Sequence, residues 1–188
     1  MKRLAIGKRR NSLSILRVRR APGHTRHHGL LTAGWMVYPC ALGEGGVSVF
    51  KREGDGKTPI GRFAVMGLYL HHAKSRQFWP SGIMSRARTI QPDMGWCDDP
   101  SSGNYNREVK LPSKDRHEKL LRDDGLYDIV FVIDWNMKPR VRGAGSAIFM
   151  HIARSGYKPT EGCIAVDRRT IQKLATKLAA DAKILVYP

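Results

Sequence analysis

The sequence predicts a mainly β fold: one β-sandwich-type domain over residues 1–188, with a single C-terminal helix and an irregular middle insertion at 71–125. Short apolar runs separated by turn-forming residues recur along most of the chain, which is typical of strands. Helical spacing of apolar residues is clear only near the C-terminus. Between 71 and 125, proline, serine, aspartate and glycine interrupt every pattern, so this segment is expected to form a cap within the domain.

The first half of the chain supplies four predicted strands. Residues 14–20, SILRVRR, alternate apolar and arginine side chains, and residues 30–42 are apolar with β-branched and aromatic members. The segment 53–61, EGDGKTPIG, is dense in turn formers and separates strands predicted at 47–52 and 62–70. We find no internal repeat and no linker.

The second half supplies three strands and the helix. Residues 126–135 and 147–153 are apolar runs typical of buried strands, and 183–188 predicts a last strand. Residues 117–124, HEKLLRDD, are expected to form one or two helical turns. The helix is predicted to begin after Asp167, a suitable N-cap, and to end near residue 180. Its apolar positions are Ile171, Leu174, Ala175 and Leu178.

The charge distribution favours a polyanionic partner. The formal net charge is +17, and nine Lys and Arg residues precede Glu44, the first acidic residue. Such a surface suits nucleic acid, anionic lipid or an anionic cell-wall polymer. No recognition helix, zinc finger or RNP-like motif accompanies the charge, so we predict no specific nucleic-acid partner. No apolar run is long enough for a membrane span, and polar residues interrupt the basic N-terminus, so no cleavable signal peptide is expected.

Three cysteines, Cys40, Cys97 and Cys163, do not form a disulfide framework, and no CxxC pair predicts a zinc site. The histidines at 24, 27 and 28 lie in a basic turn without nearby carboxylates, and we expect a solvated loop there. No Walker pattern is present. The sequence therefore predicts neither a metal nor a cofactor, and it leaves the oligomeric state open.

His151 and Cys163 are the candidate catalytic pair. Alternation along the predicted strands puts His151 on one face of its strand and Cys163 at the start of a second short strand, after a loop of nine residues. If the strands pair, an imidazole can take the proton of a nucleophilic thiol, and the N–H groups of Gly162 and Cys163 can form an oxyanion hole. The alternative is a hydrogen-bonded core histidine and a buried, inert thiol.

The residues around this pair are similar to those of a known family. HIARSGYKPTEGCIAV resembles the active-site signature of the L,D-transpeptidase catalytic domain (YkuD-like) family, through His151, Thr160, Gly162 and Cys163. A second family hallmark, Thr-Pro-x-Gly-x-Phe, matches residues 58–63. The resemblance covers roughly residues 30–188. It implies a YkuD-like fold in which Cys163 is the nucleophile and His151 the general base and acid.

The resemblance also implies a substrate and a place of action. Family members transfer an acyl group from a peptidoglycan stem peptide to the thiol, and then to an amine of a neighbouring stem peptide. The predicted partners are therefore peptidoglycan stem peptides, in the periplasm or cell envelope. Residues of the active-site loop are expected to contact substrate, with a solvated loop as the alternative: Arg154, Tyr157, Thr160 and Glu161. Trp96 of the segment GWCDDP is expected to contact substrate as well, with a packing anchor as the alternative.

Two positions depart from the family pattern. The family usually has His where Glu161 stands, and Arg or Asn where Ala165 stands. Both positions contact substrate in the common pattern, so the acceptor or the linkage can differ, with an L-Ala to diaminopimelate bond as one option. If water replaces the amine, the same site is an L,D-carboxypeptidase.

Overall fold

The computed structural model describes residues 12–71 and 82–188. Residues 1–11, where the segment considered for a signal peptide begins, and residues 72–81 of the predicted insertion lie outside the described residues. The described strands are β1 Leu13–Arg20, β2 His28–Ala33, β3 Met36–Ala41, β4 Val47–Ser48, β5 Thr58–Pro59, β6 Gly61–His71, β7 Ala87–Ile90, β8 Met94–Cys97, β9 Arg107–Lys110, β10 His117–Lys119, β11 Ile129–Ile133, β12 Phe149–Ile152, β13 Ile164–Val166 and β14 Leu178–Val186. Among residues 12–71 and 82–188, α1 at Arg168–Lys177 is the one α-helix, and the mainly β class is confirmed.

Nine strands form the main sheet, in the order β11-β12-β13-β3-β2-β1-β14-β6-β7. A further pairing between β11 and β6 joins distant parts of this order, so the sheet closes on itself. Alternation explains how β1 fits: Leu16 and Val18 are fully buried, whereas Arg17 and Arg19, which alternate with them, are exposed. The enclosed apolar side chains form the larger of two cores, to which α1 also contributes.

Three short strands form a second sheet in the order β10-β8-β9. It covers the opposite face of β11 and β12 and closes a smaller apolar core there. Trp96 of β8 packs edge-on against Phe149 of β12, with ring centroids 5.2 Å apart. The middle of the chain therefore places a layer beside the strand that carries His151.

The structure corrects three details of the predicted elements. Residues 30–42 form a hairpin of β2 and β3, because Gly34 adopts a φ of +61° and turns the chain. Residues 117–119 form strand β10, paired with β8, so the expected helical turn at 117–124 is wrong. Strand β4 ends at Ser48, well short of residue 52.

The helix begins as predicted, since the Asp167 carboxylate accepts the Thr170 N–H at 3.0 Å. It ends earlier than predicted, at Lys177, because Leu178 takes an extended conformation and starts β14. Strand β14 pairs with β1 in parallel and with β6 antiparallel. The long-range pairing outweighs the local helical pattern in the residues after 177.

Candidate active site

Adjacent parallel strands bring His151 and Cys163 to one face. In the register of β12 and β13, Met150 lies beside Ile164 and His151 beside Ala165, so Cys163 lies level with Phe149. Phe149 and Cys163 belong to the smaller core, whereas Met150 and Ile164 point into the larger one. Both His151 and Cys163 line a cavity of about 590 Å³. Residues of the small sheet, including Glu118, line the same cavity.

The tautomer of His151 follows from its hydrogen bond. Its Nδ1 lies 2.9 Å from the Ile152 carbonyl oxygen, which can only accept, so Nδ1 carries the proton and Nε2 holds a lone pair. The Tyr127 ring packs against the imidazole at a centroid distance of 5.1 Å. Burial lowers the pKa of His151 to about 4, and the nearby Arg122 and Arg154 act in the same direction. The imidazole is therefore neutral at pH 7, as a general base must be.

Cys163 is held between two backbone groups. Its sulfur accepts the Phe149 N–H at 3.4 Å, and its thiol donates to the Ala147 carbonyl at 3.3 Å. The residue is 9% exposed, and this exposed part lines the cavity. Burial raises the pKa of the Cys163 thiol to about 12, with Glu118 adding to the rise. In the resting site the thiol is therefore protonated.

Asn106 fixes the position of Ala147, whose carbonyl accepts the hydrogen bond from the Cys163 thiol. Ala147 has a φ of +52°, an unfavourable conformation for a residue with a Cβ. Its N–H donates to Asn106 Oδ1 at 3.1 Å, and the same oxygen accepts the Trp96 indole N–H at 3.0 Å. Asn106 is 2% exposed. A buried chain of hydrogen bonds thus runs from Trp96 to the sulfur of Cys163.

Thr160 braces the loop that precedes the cysteine. Its hydroxyl donates to the Cys163 carbonyl at 2.7 Å and accepts the Gly162 N–H at 3.2 Å. Its own N–H donates to the Leu42 carbonyl, and its carbonyl accepts the Glu44 N–H, at 3.0 and 2.8 Å. The Gly162 N–H therefore has a partner in this structure, and the oxyanion role predicted for it requires that bond to be exchanged for one to substrate.

The predicted substrate contacts separate into three groups. Arg154, Thr160 and Glu161 line the same cavity as the pair. Tyr157 lines a neighbouring cavity of about 560 Å³, to which Arg154 also contributes. Trp96 is 4% exposed and lines neither cavity; it packs on Phe149 as an anchor.

Two ion-paired side chains at the cavity, Lys51 and Glu118, were not predicted from the sequence. Lys51 is buried there against Asp55, and the four-residue spacing in KREGD was the only sequence signal for this pair. The Tyr127 hydroxyl donates to Glu118 at 2.6 Å, and Arg122 lies 3.5 Å from the same carboxylate. Strand β10 brings Glu118 to the cavity through long-range pairing, which leaves no local signal.

Within residues 12–71 and 82–188, no group of three or more His, Cys, Asp or Glu side chains is placed to hold a metal ion. In the same ranges, no helix has the length and apolarity to cross a membrane. The three cysteines are free thiols.

A thiol and a neutral imidazole that share a cavity are the two side chains that a cysteine acyl-transfer site requires. The model of the L,D-transpeptidase catalytic domain family, YkuD, matches residues 29–186. The chain belongs to this family. The family resemblance stated from the motifs at 58–63 and 151–163 is thereby confirmed.

Two solved structures are similar to the chain. L,D-transpeptidase 1 of Mycobacterium tuberculosis is 12% identical, with a TM-score of 0.37 over 92% of this chain and 61% of that one. An L,D-transpeptidase from Mycobacterium smegmatis is 12% identical, with a TM-score of 0.41 over 94% and 59%. The chain thus spans 61% and 59% of the two solved chains. Comparison with curated proteins gave no match.

Proposed function

We propose that the protein is a peptidoglycan L,D-transpeptidase that works through a thioester on Cys163. The observation that carries the proposal is the His151 tautomer: Nδ1–H is tied to the Ile152 carbonyl, which leaves Nε2 as a base beside the thiol's strand. Membership of the L,D-transpeptidase catalytic domain family supports the substrate class. Action in the periplasm or cell envelope follows from that substrate.

The proposed reaction consists of two acyl transfers. The Cys163 sulfur attacks the carbonyl carbon of an L,D peptide bond in a donor stem peptide, while His151 Nε2 takes the thiol proton. The tetrahedral intermediate collapses, the imidazolium gives its proton to the departing amine, and a thioester remains. An amine of an acceptor stem peptide then attacks the thioester, and His151 takes and returns a proton in the reverse order.

The acceptor decides which product forms. An amine gives a cross-link, whereas water gives a trimmed stem peptide and makes the protein an L,D-carboxypeptidase. Glu161 and Ala165 both line the cavity, where the family usually has His and Arg or Asn. These two departures support an altered acceptor, and an L-Ala to diaminopimelate linkage is the variant we propose to test.

Muropeptide analysis by mass spectrometry tests the proposal. Purified sacculi are incubated with the wild type, with Cys163→Ala and with His151→Ala, and the variants are checked for folding by circular dichroism. We expect new cross-linked dimers with the wild type only, and fragmentation of the dimers identifies the bond. Dimers formed by Cys163→Ala would refute the nucleophile, whereas trimmed monomers alone would establish the carboxypeptidase instead.

A further inference from the structure

A buried lysine at the cavity has no part in the mechanism above. The Lys51 side chain is 2% exposed, and its ammonium donates to Asp55 Oδ1 at 2.6 Å and to the Arg52 carbonyl at 2.9 Å. A lysine ammonium has three N–H groups. Among the described residues, two of the three have partners, which leaves one donor for a ligand. Lysine is rarely buried unless its charge is used or paired.

Two glycines make room for this side chain next to Cys163. A Cβ on Gly145 would lie 3.0 Å from Lys51 Cε and Cγ, and one on Gly162 would lie 3.4 Å from Lys51 Cε. Both glycines have positive φ, +97° and +131°. The lysine stem therefore lies beside the residue that directly precedes the candidate nucleophile. Its position is built into the backbone rather than left to a mobile surface chain.

The charge at this position acts on the reacting sulfur. Burial raises the pKa of the Cys163 thiol, and Lys51 opposes that rise. Glu118 and Glu161 add to the rise, so Lys51 is the cation that favours negative charge at this point of the cavity. Burial would raise the pKa of Asp55, but the hydrogen bond from Lys51 and two backbone N–H groups outweigh it and lower that pKa, so the carboxylate stays ionised as the counter-ion.

We propose that Lys51 is a catalytic residue: its remaining N–H donates to the oxyanion that forms when Cys163 attacks a carbonyl. The inference rests on the proposed function of Cys163 as nucleophile. It also answers the question raised by Gly162, whose N–H already has Thr160 as a partner. A charge-assisted hydrogen bond inside a partly desolvated cavity stabilises an oxyanion more than it does in water.

The step balances without further reactants. The thiol proton passes to His151 Nε2, the sulfur electron pair forms the S–C bond, and the π pair of the carbonyl moves to its oxygen. Lys51 donates a hydrogen bond to that oxygen and keeps its proton. When the oxygen pair re-forms the carbonyl, the leaving group departs and the hydrogen bond is released.

Two reactions of the Cys163 sulfur distinguish stabilisation of the oxyanion from stabilisation of the thiolate. Acylation by p-nitrophenyl acetate forms a tetrahedral oxyanion, whereas alkylation by iodoacetamide needs the thiolate but forms no oxyanion. Neither reagent is a peptidoglycan, so the test holds even if the sacculus experiment fails. Nitrophenolate release and intact mass give the two rates, and Cys163→Ala supplies the blank for both.

The variants are chosen to separate charge from folding. Lys51→Met keeps a stem of similar length but leaves Asp55 unpaired, so Lys51→Met/Asp55→Asn removes both charges together. Lys173→Met removes one exposed charge from helix α1 as the matched control. Loss of one oxyanion donor is expected to slow ester acylation about 100-fold in both Lys51 variants. Alkylation should fall by less than about tenfold, because only the field at the sulfur changes.

The fall in the acylation rate, compared with the fall in the alkylation rate, decides whether Lys51 stabilises the oxyanion. Equal falls in acylation and alkylation would overturn the proposal, since Lys51 would then act on the thiolate alone. Unchanged acylation would overturn it as well. If both Lys51 variants fail to fold by circular dichroism, the lysine is a structural ion-pair partner and the proposal is wrong. Lys173→Met should leave both rates unchanged.

Discussion

Replacing Asn106 by alanine should destabilise the fold and disorder the thiol together. The Asn106 amide accepts the Trp96 and Ala147 N–H groups and donates to the Trp135 and Asn136 carbonyls, over 2.9–3.1 Å. At about 1 kcal/mol for each bond, the loss is about 4 kcal/mol. Trp96 is 4% exposed, so its buried indole N–H would lose its hydrogen-bond acceptor.

Urea unfolding followed by tryptophan fluorescence measures this loss. Asn104→Ala is the matched control, because Asn104 is two residues away, is exposed, and makes one side-chain bond from its amide to Asp115 at 3.1 Å. We expect its effect to stay below about 1 kcal/mol. A value under about 1 kcal/mol for Asn106→Ala, with an unchanged urea slope, would refute the reasoning, since it would mean that the four bonds are replaced in the variant.

Three further results are expected. The pKa of His151 is about 4 in the fold against a normal 6.5, so between these values only the unfolded chain binds the proton; the free energy of unfolding should drop by about 3 kcal/mol from pH 7 to pH 4, and His151→Gln should lack this part of the dependence in urea titrations. Gly162→Ala should cost about 2 kcal/mol or more in thermal unfolding, because φ is +131° and the new Cβ would lie 2.7 Å from the Lys57 carbonyl oxygen; Gly156→Ala, with φ of +72° and open space, should cost about 1 kcal/mol, and equal costs would contradict the steric argument. Burial raises the pKa of the Cys163 thiol to about 12, so iodoacetamide should modify the native protein at pH 8 more slowly than free cysteine and faster as pH rises; a rate like that of free cysteine would count against a protonated resting thiol.

The placement of His151 and Cys163 on one face could be predicted from the sequence because it depends on local alternation. Once 147–153 and the residues after Cys163 are strands, the period of two places His151 and Cys163 on one face, and the observed register agrees. The sequence predicts one strand at 30–42 in place of the hairpin of β2 and β3, because both arms are apolar and the turn shows only a lone glycine. Glu118 was missed because only the pairing of β10 with β8, distant in sequence, brings it to the cavity.

The burial of Lys51 could not be predicted from the sequence for a different reason. A lysine in a glycine-rich turn is expected to be solvated, and only the three-dimensional contact with Gly145 and Gly162 shows that it is packed. Trp96 is the opposite case, a candidate substrate residue that the structure places outside the cavity. The sequence left two alternatives for this side chain, a substrate contact and a packing anchor, and its packing against Phe149 supports the packing anchor.

The electrostatics of the site constrain how the thiol can be activated. Burial raises the pKa of the Cys163 thiol and lowers that of the His151 imidazole, so burial disfavours the charged form of each. A preformed thiolate–imidazolium pair is therefore not the resting state, and the thiol keeps its proton, which it donates in a hydrogen bond to the Ala147 carbonyl. In the mechanism that we propose, proton transfer to Nε2 then accompanies attack, when negative charge passes from sulfur to the substrate oxygen. The Lys51 side chain lies beside Gly162, so the proposed role of Lys51 predicts a site that favours the transition state over the free thiolate.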